Sequence, residues 1–396
     1  MFTFEISRLP RIIFGSGKLA TLPGLIEGYG KNCLLIRGAA SLTTTPQWQD
    51  FSDGCKQKDI LLDEFIIDGE PSPQIIDDAV QQFHRSNIDV VVAIGGGSVL
   101  DAGKAIAGLL PHGNSVMDHL EGVGRDIPYH GPAKPFIAAP TTAGTGSEAT
   151  KNAVLSVQGR DGFKKSFRHE CLVPEYAVVD PDLMANCPAQ LIANQGMDAL
   201  TQLLESIVST KANAMTHALA SHALAGVNDA IIPAWQGGCN EQARQAREKM
   251  AYGALISGIT LAQVGLGSVH GLASPLGAFF PIPHGAVCGT LVAVATKVNL
   301  KALKARDTNN PALQRYAEVG RLCANTPQLN DNDAHDALLS RLYDLSETLN
   351  MPRLSEYGIG PEDIPKIVEN SRGSSMKTNP IVLTDEEIAA IVKARI

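Results

Sequence analysis

The sequence predicts an α/β domain with a mostly parallel sheet over residues 1–185, followed by an all-helical domain over residues 186–396. Three observations carry this. In the first half, short apolar runs alternate with stretches of helical spacing, the pattern of parallel strands whose connecting helices cover both faces of a sheet. Two of the strand candidates stop on loops of small residues. From about Pro188 onward, almost every segment has helical period. A chain of 396 residues also accommodates two domains at roughly 100–200 residues each.

The strands and helices can be taken in order. CLLIRG (Cys33–Gly38) is a short apolar run ending in glycine, a buried strand, and LLDEFIID is a second. Pro71 to Asn87 has helical spacing, with Pro and Ser at its start and Asp77 and Asp78 in its early turns. DVVVAIGGGS (Asp89–Ser98) is a continuous apolar strand that stops on three glycines, and VLDAGKAIAGLL resumes helical spacing. PFIAAPTTAGTGSE (Pro135–Glu148) is a further strand ending in a small-residue loop. Near Asp180-Pro181-Asp182 the character changes. QLIANQGMDALTQLLESIVST, THALASHALAGVNDAIIPAW and the Ala/Gly-rich stretch from Gln242 to Leu276 are all helical in period.

Bulk properties narrow the function classes. The formal net charge is -8 and no long basic run occurs, so a nucleic-acid surface built of clustered Lys and Arg is not expected. No stretch approaches the ~18 uninterrupted apolar residues of a membrane helix. MFTFEISRLPRIIF lacks the basic region, apolar core and cleavage site of a signal peptide. The seven cysteines are scattered and none forms a CxxC pair. They read as reduced thiols, and a cytoplasmic protein is expected.

Two loops point to a nucleotide. Ile94-Gly95-Gly96-Gly97-Ser98 lies where a strand hands over to a helix, with Asp101 and Lys104 following. Without Cβ atoms the backbone can approach a phosphate, and the N–H groups and dipole of the helix start favour its charge. The alternative is a plain glycine turn. Thr141-Thr142-Ala143-Gly144-Thr145-Gly146-Ser147-Glu148 is the second loop. Ligands of open α/β sheets sit beyond the C-terminal strand ends, where both loops fall.

A metal constellation is also visible. Asp198 and Gln202 are i and i+4 on a predicted helix and share one face. His270 and His284 stand fourteen residues apart in SVHGLASPLGAFFPIPHG, with Ser274 between them. Carboxylate with imidazole suits Fe(II) or Zn(II). The alternative is a pair of structural histidines.

Taken together, the motifs resemble the iron-containing alcohol dehydrogenase family. They are IIFGSG, GGGSVLDAGKAIA, PTTAGTGSEAT, VVDPDLM, GMDAL, the VHG…PLGAFF…PHG segment and TNPIVLTDEEI, in that order along nearly the whole chain. The resemblance implies NAD or NADP and an active site in the cleft between the two domains. It places the pyrophosphate on Gly96, Gly97 and Ser98, within the Gly95 to Asp101 segment. Thr141, Thr142, Thr145 and Ser147 would line the adenine and nicotinamide side, and Leu183 joins that set. Lys165 resembles the lysine that approaches the nicotinamide ribose, with Lys164 adjacent. Asp198, Gln202, His270 and His284 would be the metal ligands, and His270, His284 and Ser274 the catalytic groups. Gln202 stands where the family has a histidine ligand, and Ser274 where many members carry a further histidine. Metal-bound and metal-free versions both follow. The family's carboxylate after the first strand is replaced by Gly38, beside Arg37, which permits NADP(H). Members are commonly homodimers or larger.

The reaction expected is hydride transfer between nicotinamide and a small aldehyde or alcohol. SRGSSMKTNP offers Arg372, Ser374, Ser375 and Lys377 as a pocket for an anionic aldehyde, phosphonoacetaldehyde being the candidate. The alternative is a solvated loop, with a neutral aldehyde of the lactaldehyde or propanediol type as substrate. Two further classes are a lyase like the dehydroquinate synthases, whose basic cluster is missing here, and a nucleotide-binding member without turnover.

Overall fold

The computed structural model describes residues 3–39 and 42–396. The first part carries a six-stranded sheet in the order β1-β8-β5-β4-β2-β3, with every neighbouring pair parallel. Its strands and helices are β1 (Arg11–Phe14), α1 (Leu22–Glu27), β2 (Asn32–Gly38), α2 (Pro46–Gln57), β3 (Leu61–Ile67), α3 (Pro73–Phe83), β4 (Val90–Gly95), α4 (Gly97–Leu109) and β5 (Phe136–Pro140). An antiparallel hairpin of β6 (Asn152–Val157) and β7 (Phe163–Arg168) precedes β8 (Tyr176–Val179).

The apolar runs of the sequence are strands buried on both faces. Leu34, Ile36, Val91 and Ala93 pack with α3, α4 and the hairpin, through Ile76, Val80, Ile106, Leu155 and Phe167. Cys33, Leu35, Val90 and Val92 face the other way, onto Leu22, Ile26, Phe51 and Cys55 of α1 and α2. A strand covered on both sides has no polar face to alternate. α3 starts where the Pro-Ser signal placed it, with the Ser72 side chain accepting from the Ile75 N–H. The chain reverses direction across the sheet at β4, which lies between β2 and β5. The nucleotide crevice of such sheets lies at this switch point.

Asp180 explains why the IIFGSG and VVDPDLM motifs go together. Its carboxylate is buried and accepts from the backbone N–H groups of Gly17 (3.2 Å), Leu19 (2.9 Å) and Asp182 (3.1 Å). It fixes the turn after β1 against the end of β8.

The remainder is helical: α5 (Ala189–Val208), α6 (Ala214–Gln236), α7 (Glu241–Val264), α8 (Ser268–Phe279), α9 (His284–Arg306), α10 (Pro311–Ala324), α11 (Asp331–Thr348), α12 (Ile364–Asn370) and α13 (Asp385–Lys393). The stretch from Gln242 to Leu276, continuous in period, is two helices bent by 101°. Gly265 makes the break. It adopts φ +71°, and a Cβ there would stand 2.6 Å from Thr378 Oγ1. α9 is long and apolar enough to cross a membrane by composition, but 83% of its apolar window is buried inside the helical domain. It is a core helix.

Candidate metal centre and nucleotide cleft

Three helices bring the site together. α5 presents Asp198, Gln202 and Glu205 at positions i, i+4 and i+7 of one buried face. α8 supplies His270 from its first turn. α9 supplies His284 at its first residue and Cys288 one turn on. One ligand atom from each of Asp198, His270, His284 and Cys288 lies within 4.8 Å of all the others.

The distances within this cluster are short. His270 Nε2 is 3.2 Å and His284 Nε2 3.7 Å from Asp198 Oδ1. Cys288 Sγ stands 3.6 Å from His270 Nε2 and 3.8 Å from His284 Nε2. Donors held 2.0–2.3 Å from one ion in a tetrahedron would be about 3.3–3.8 Å apart. The donor set therefore fits a small divalent cation in both spacing and chemistry. His284 Nδ1 is buried and has no hydrogen-bond partner among the described residues, which leaves Nε2 as the nitrogen turned toward the cluster.

Glu205 orients the site from behind. Its Oε2 is 2.7 Å from His270 Nδ1, and its Oε1 accepts the Val269 N–H at 2.7 Å. A carboxylate on the far nitrogen fixes the tautomer that frees Nε2 for a metal. The same carboxylate caps the start of α8, so it positions the helix and the ring together.

Gln202 does not join the ligand set. Its amide nitrogen donates to Asp198 Oδ1 at 3.1 Å, and its oxygen accepts from Ser257 Oγ at 2.9 Å. The Gln202 oxygen, the atom expected to ligate, is thus turned to Ser257 of α7. The sequence reading missed Cys288 and Glu205. Their signals were present: Cys288 is four residues from His284, and Glu205 seven from Asp198.

The electrostatics follow from burial among close partners. Burial works against charge throughout. Even so, His284, His270 and the Gln202 amide bring the Asp198 carboxyl down to about 2. Burial also opposes a charge on His270, but Cys288, Asp198 and Glu205 raise it well above the usual imidazole range. His284 goes the other way, to about 4, from burial and then the positive Lys164 and His270, despite Asp198. Burial pushes the Cys288 thiol up to about 12. The metal-free cluster is thus a carboxylate, an imidazolium, a neutral imidazole and a thiol, and a metal would displace protons from it.

Lys164, not Lys165, faces this site. The two alternate across β7, so they point to opposite faces. Lys164 is largely buried, pairs with Glu70 at 3.3 Å and acts on His284 electrostatically. Lys165 is exposed. Ser274 donates to the Lys164 carbonyl at 3.3 Å, which ties α8 to the hairpin. Its hydroxyl is half-buried and engaged.

The nucleotide loops meet at the C-terminal ends of β4 and β5. Gly96 caps α4, and a Cβ on Gly97 would stand 2.8 Å from Thr145 Oγ1. Glycine there is imposed by the neighbouring loop as well as by any phosphate. Thr141 and Thr142 are half-buried beside it, and Ser98 reaches Glu70 at 3.5 Å. Leu183 packs on the α1 and α2 side of the sheet. Asp101 and Ser147, both expected to bind the cofactor, are bonded to each other. Ser147 Oγ donates to Asp101 Oδ1, and Asp101 also holds Lys104 at 3.1 Å and the Val154 N–H at 3.1 Å. They fasten α4 to the hairpin behind the loop.

Gly38 ends β2 with no side chain to meet a ribose. Arg37 beside it pairs with Glu64 at 2.8 Å, donates to the Gly38 and Ala39 carbonyls and lies over the Trp48 ring. Of the segment LLIRGAAS, Ala40 and Ser41 lie outside the described residues.

The anion pocket expected near the C-terminus does not form. Arg372 pairs with Asp385 and donates to the Leu383 carbonyl. Ser374 and Lys377 are exposed and Ser375 half-buried. Between them Met376 packs beneath Gly271 of α8. The segment braces the helix that carries His270, with Asn379 buried and accepting the Ser268 N–H at 3.0 Å while Arg372, Ser374 and Lys377 are exposed.

A dinucleotide crevice beside a buried cluster of carboxylate, imidazole and thiol defines a class: nicotinamide-dependent oxidoreductases that polarise an oxygen with a metal. The chain belongs to the iron-containing alcohol dehydrogenase family. Residues 10–181 match the iron-containing alcohol dehydrogenase model and residues 192–396 the C-terminal model of the same family. It is 31% identical to the 1,3-propanediol dehydrogenase of Klebsiella pneumoniae, over 94% of this chain and 95% of that one. A solved 1,3-propanediol oxidoreductase superposes with TM-score 0.88 at 28% identity, covering all of both chains. A sulfoacetaldehyde reductase from Bifidobacterium kashiwanohense, solved with NAD+, superposes with TM-score 0.84 at 26% identity, over 100% of this chain and 99% of that one. The protein is accordingly an NAD(P)-dependent oxidoreductase acting on CH–OH groups.

Proposed function

We propose that the protein reduces small aldehydes to primary alcohols with NAD(P)H, and runs the reverse oxidation when alcohol is in excess. The observation that carries this is the convergence of Asp198, His270, His284 and Cys288 on the same side as the loops of β4 and β5, joined through Lys164 and Glu70. The Gly95 to Ser98 loop and the α4 N-terminus hold the pyrophosphate. Lys164, kept in place by Glu70 and by Ser274 on its carbonyl, carries the positive charge between nucleotide and cluster. A bound metal supplies Lewis-acid polarisation of the substrate oxygen. Asp198, His270 and His284 hold that ion, and Glu205 orients His270.

Arg372 is committed to Asp385, so an anionic aldehyde loses its expected anchor. Lys164 remains as a cation facing the cluster, but it is engaged with Glu70 at 3.3 Å and set toward the nucleotide. A small neutral aldehyde therefore fits best, and the named activity of the 1,3-propanediol dehydrogenase relative supports it. The test is steady-state NADH and NADPH oxidation on lactaldehyde, 3-hydroxypropanal and phosphonoacetaldehyde. A neutral aldehyde should exceed phosphonoacetaldehyde in kcat/KM by at least about tenfold, or about 1.4 kcal/mol. The opposite order would return the anionic substrate to first place.

The missing carboxylate at Gly38 admits a 2′-phosphate, so NADPH is accepted. Gly38→Asp restores the negative charge. It should cut kcat/KM for NADPH at least about tenfold more than for NADH.

A further inference from the structure

We propose that Cys288 is the fourth protein ligand of a centre that keeps a further coordination position for the substrate oxygen, and that Gln202 is an outer clamp on Asp198, so that the centre takes zinc in preference to iron. The inference rests on the metal-centre reading above and goes further by assigning the ligand set and the metal.

Three observations on this chain carry it. First, Gln202 cannot turn its oxygen inward cheaply. In the metal-free cluster that would set one acceptor against Asp198 Oδ1, where the amide now donates at 3.1 Å. Both groups are buried, so water cannot repair that contact. Second, Cys288 is fully buried, and among the described residues its sulfur has His270 Nε2 and His284 Nε2 as polar partners, at 3.6 and 3.8 Å. A cysteine acting as a small core residue would direct its sulfur at hydrocarbon. Here it completes a cage with the atoms that face the cluster. Third, α9 delivers both His284 and Cys288 from one face, a spacing that lets one helix supply two ligands.

The chemistry selects the metal. Binding removes the thiol proton to solvent and leaves a thiolate. With Asp198 it supplies two negative charges against a divalent ion, where Asp198 with a neutral glutamine supplies one. Thiolate with imidazole favours zinc over iron(II), in the same direction as the intrinsic affinity order. Gln202 then has a single task, holding Asp198 through its N–H while Ser257 holds the amide.

The test uses the full-length protein, stripped with chelator and titrated anaerobically with Co(II). The expected result is one bound cobalt with a near-ultraviolet thiolate-to-cobalt charge-transfer band. Cys288→Ser should abolish the band and weaken cobalt at least tenfold, with NADH binding by fluorescence unchanged as the check on folding. Gln202→Ala should keep the band. In competition between Zn(II) and Fe(II), the wild type should retain zinc, and Cys288→Ser should narrow that preference at least tenfold. Stoichiometric cobalt without the band would overturn the proposal and leave the proposed activity standing. Loss of cobalt in Gln202→Ala, with Cys288→Ser behaving as wild type, would also overturn it. Failure of the folded, NADH-binding protein to take cobalt would sink both the ligand assignment and the metal centre. A cobalt-thiolate band in a protein inactive on every aldehyde would support the ligand set and refute the activity instead.

Discussion

The nucleotide loops and the metal cluster are built by opposite means. Each loop is a contiguous run of small residues at a strand end, Gly95 to Ser98 and Thr141 to Ser147, and its main tools are backbone N–H groups. The cluster is built from side chains on three helices, with Cys288 lying 90 positions after Asp198. A loop of that kind tolerates variation wherever the backbone keeps its course. A cluster depends on where each ligand atom points: Gln202 has turned its oxygen to Ser257, and Cys288 points in.

The largest effect should come from breaking the cluster. Asp198→Ala removes a carboxylate that touches His270 and Gln202 directly. It should lower kcat/KM by about a thousandfold or more, roughly 4 kcal/mol, and abolish metal retention in elemental analysis while NADH still binds. If nucleotide binding fell equally, the two regions would not be separable.

The converse experiment breaks a loop. Gly97→Val places a branched side chain where even Cβ would meet Thr145 at 2.8 Å. NADH affinity should fall about a hundredfold, or roughly 2.7 kcal/mol, with metal content unchanged. A fluorescence titration beside elemental analysis reads both.

Lys164 and Lys165 sharpen the boundary between the regions. Lys164→Ala should lower kcat/KM by about 10- to 100-fold, because it removes the charge set between nucleotide and cluster. Lys165→Ala, on the exposed face, should stay within about twofold. Equal losses would mean that the hairpin sits differently in the working enzyme.

The remaining effect is on stability. Glu148 is buried behind the second loop, and burial raises its carboxyl from 4.5 to about 7, against its own backbone N–H and Lys104. Folding then favours the protonated form. The stability this group permits is fully present below pH 4.5 and is lost as pH rises to about 7, on the order of 3 kcal/mol. Glu148→Gln cannot ionise, so it should flatten urea stability between pH 5 and pH 8 and exceed the wild type at the upper end. A variant curve parallel to the wild type would show that Glu148 is not the source.

Much of this was legible in the residues. The strands were readable because parallel strands buried on both faces are unbroken apolar runs, as VVVAIG is. Asp198, His270 and His284 were readable through their motifs. The side chain of Lys164 was not, since choosing between adjacent lysines requires the register of β6 on β7. A one-residue shift exchanges the two faces. Asp101 and Ser147 looked like cofactor contacts because they sit in the right motifs. The fold spends both on fastening a helix to a hairpin.

The sequence by itself determined the family, the parallel sheet, the helical second half and the places where a nucleotide can lie. These rest on local period and on short contiguous motifs, which physics resolves within a few residues. Only the tertiary structure decided which atoms meet: that Cys288 joins the cluster, that Gln202 turns to Ser257, and that Arg372 is paired with Asp385. Ligation and hydrogen bonding act over about 2–3.5 Å. Contacts that short, between residues tens of positions apart, depend on how the helices dock, which no local pattern encodes.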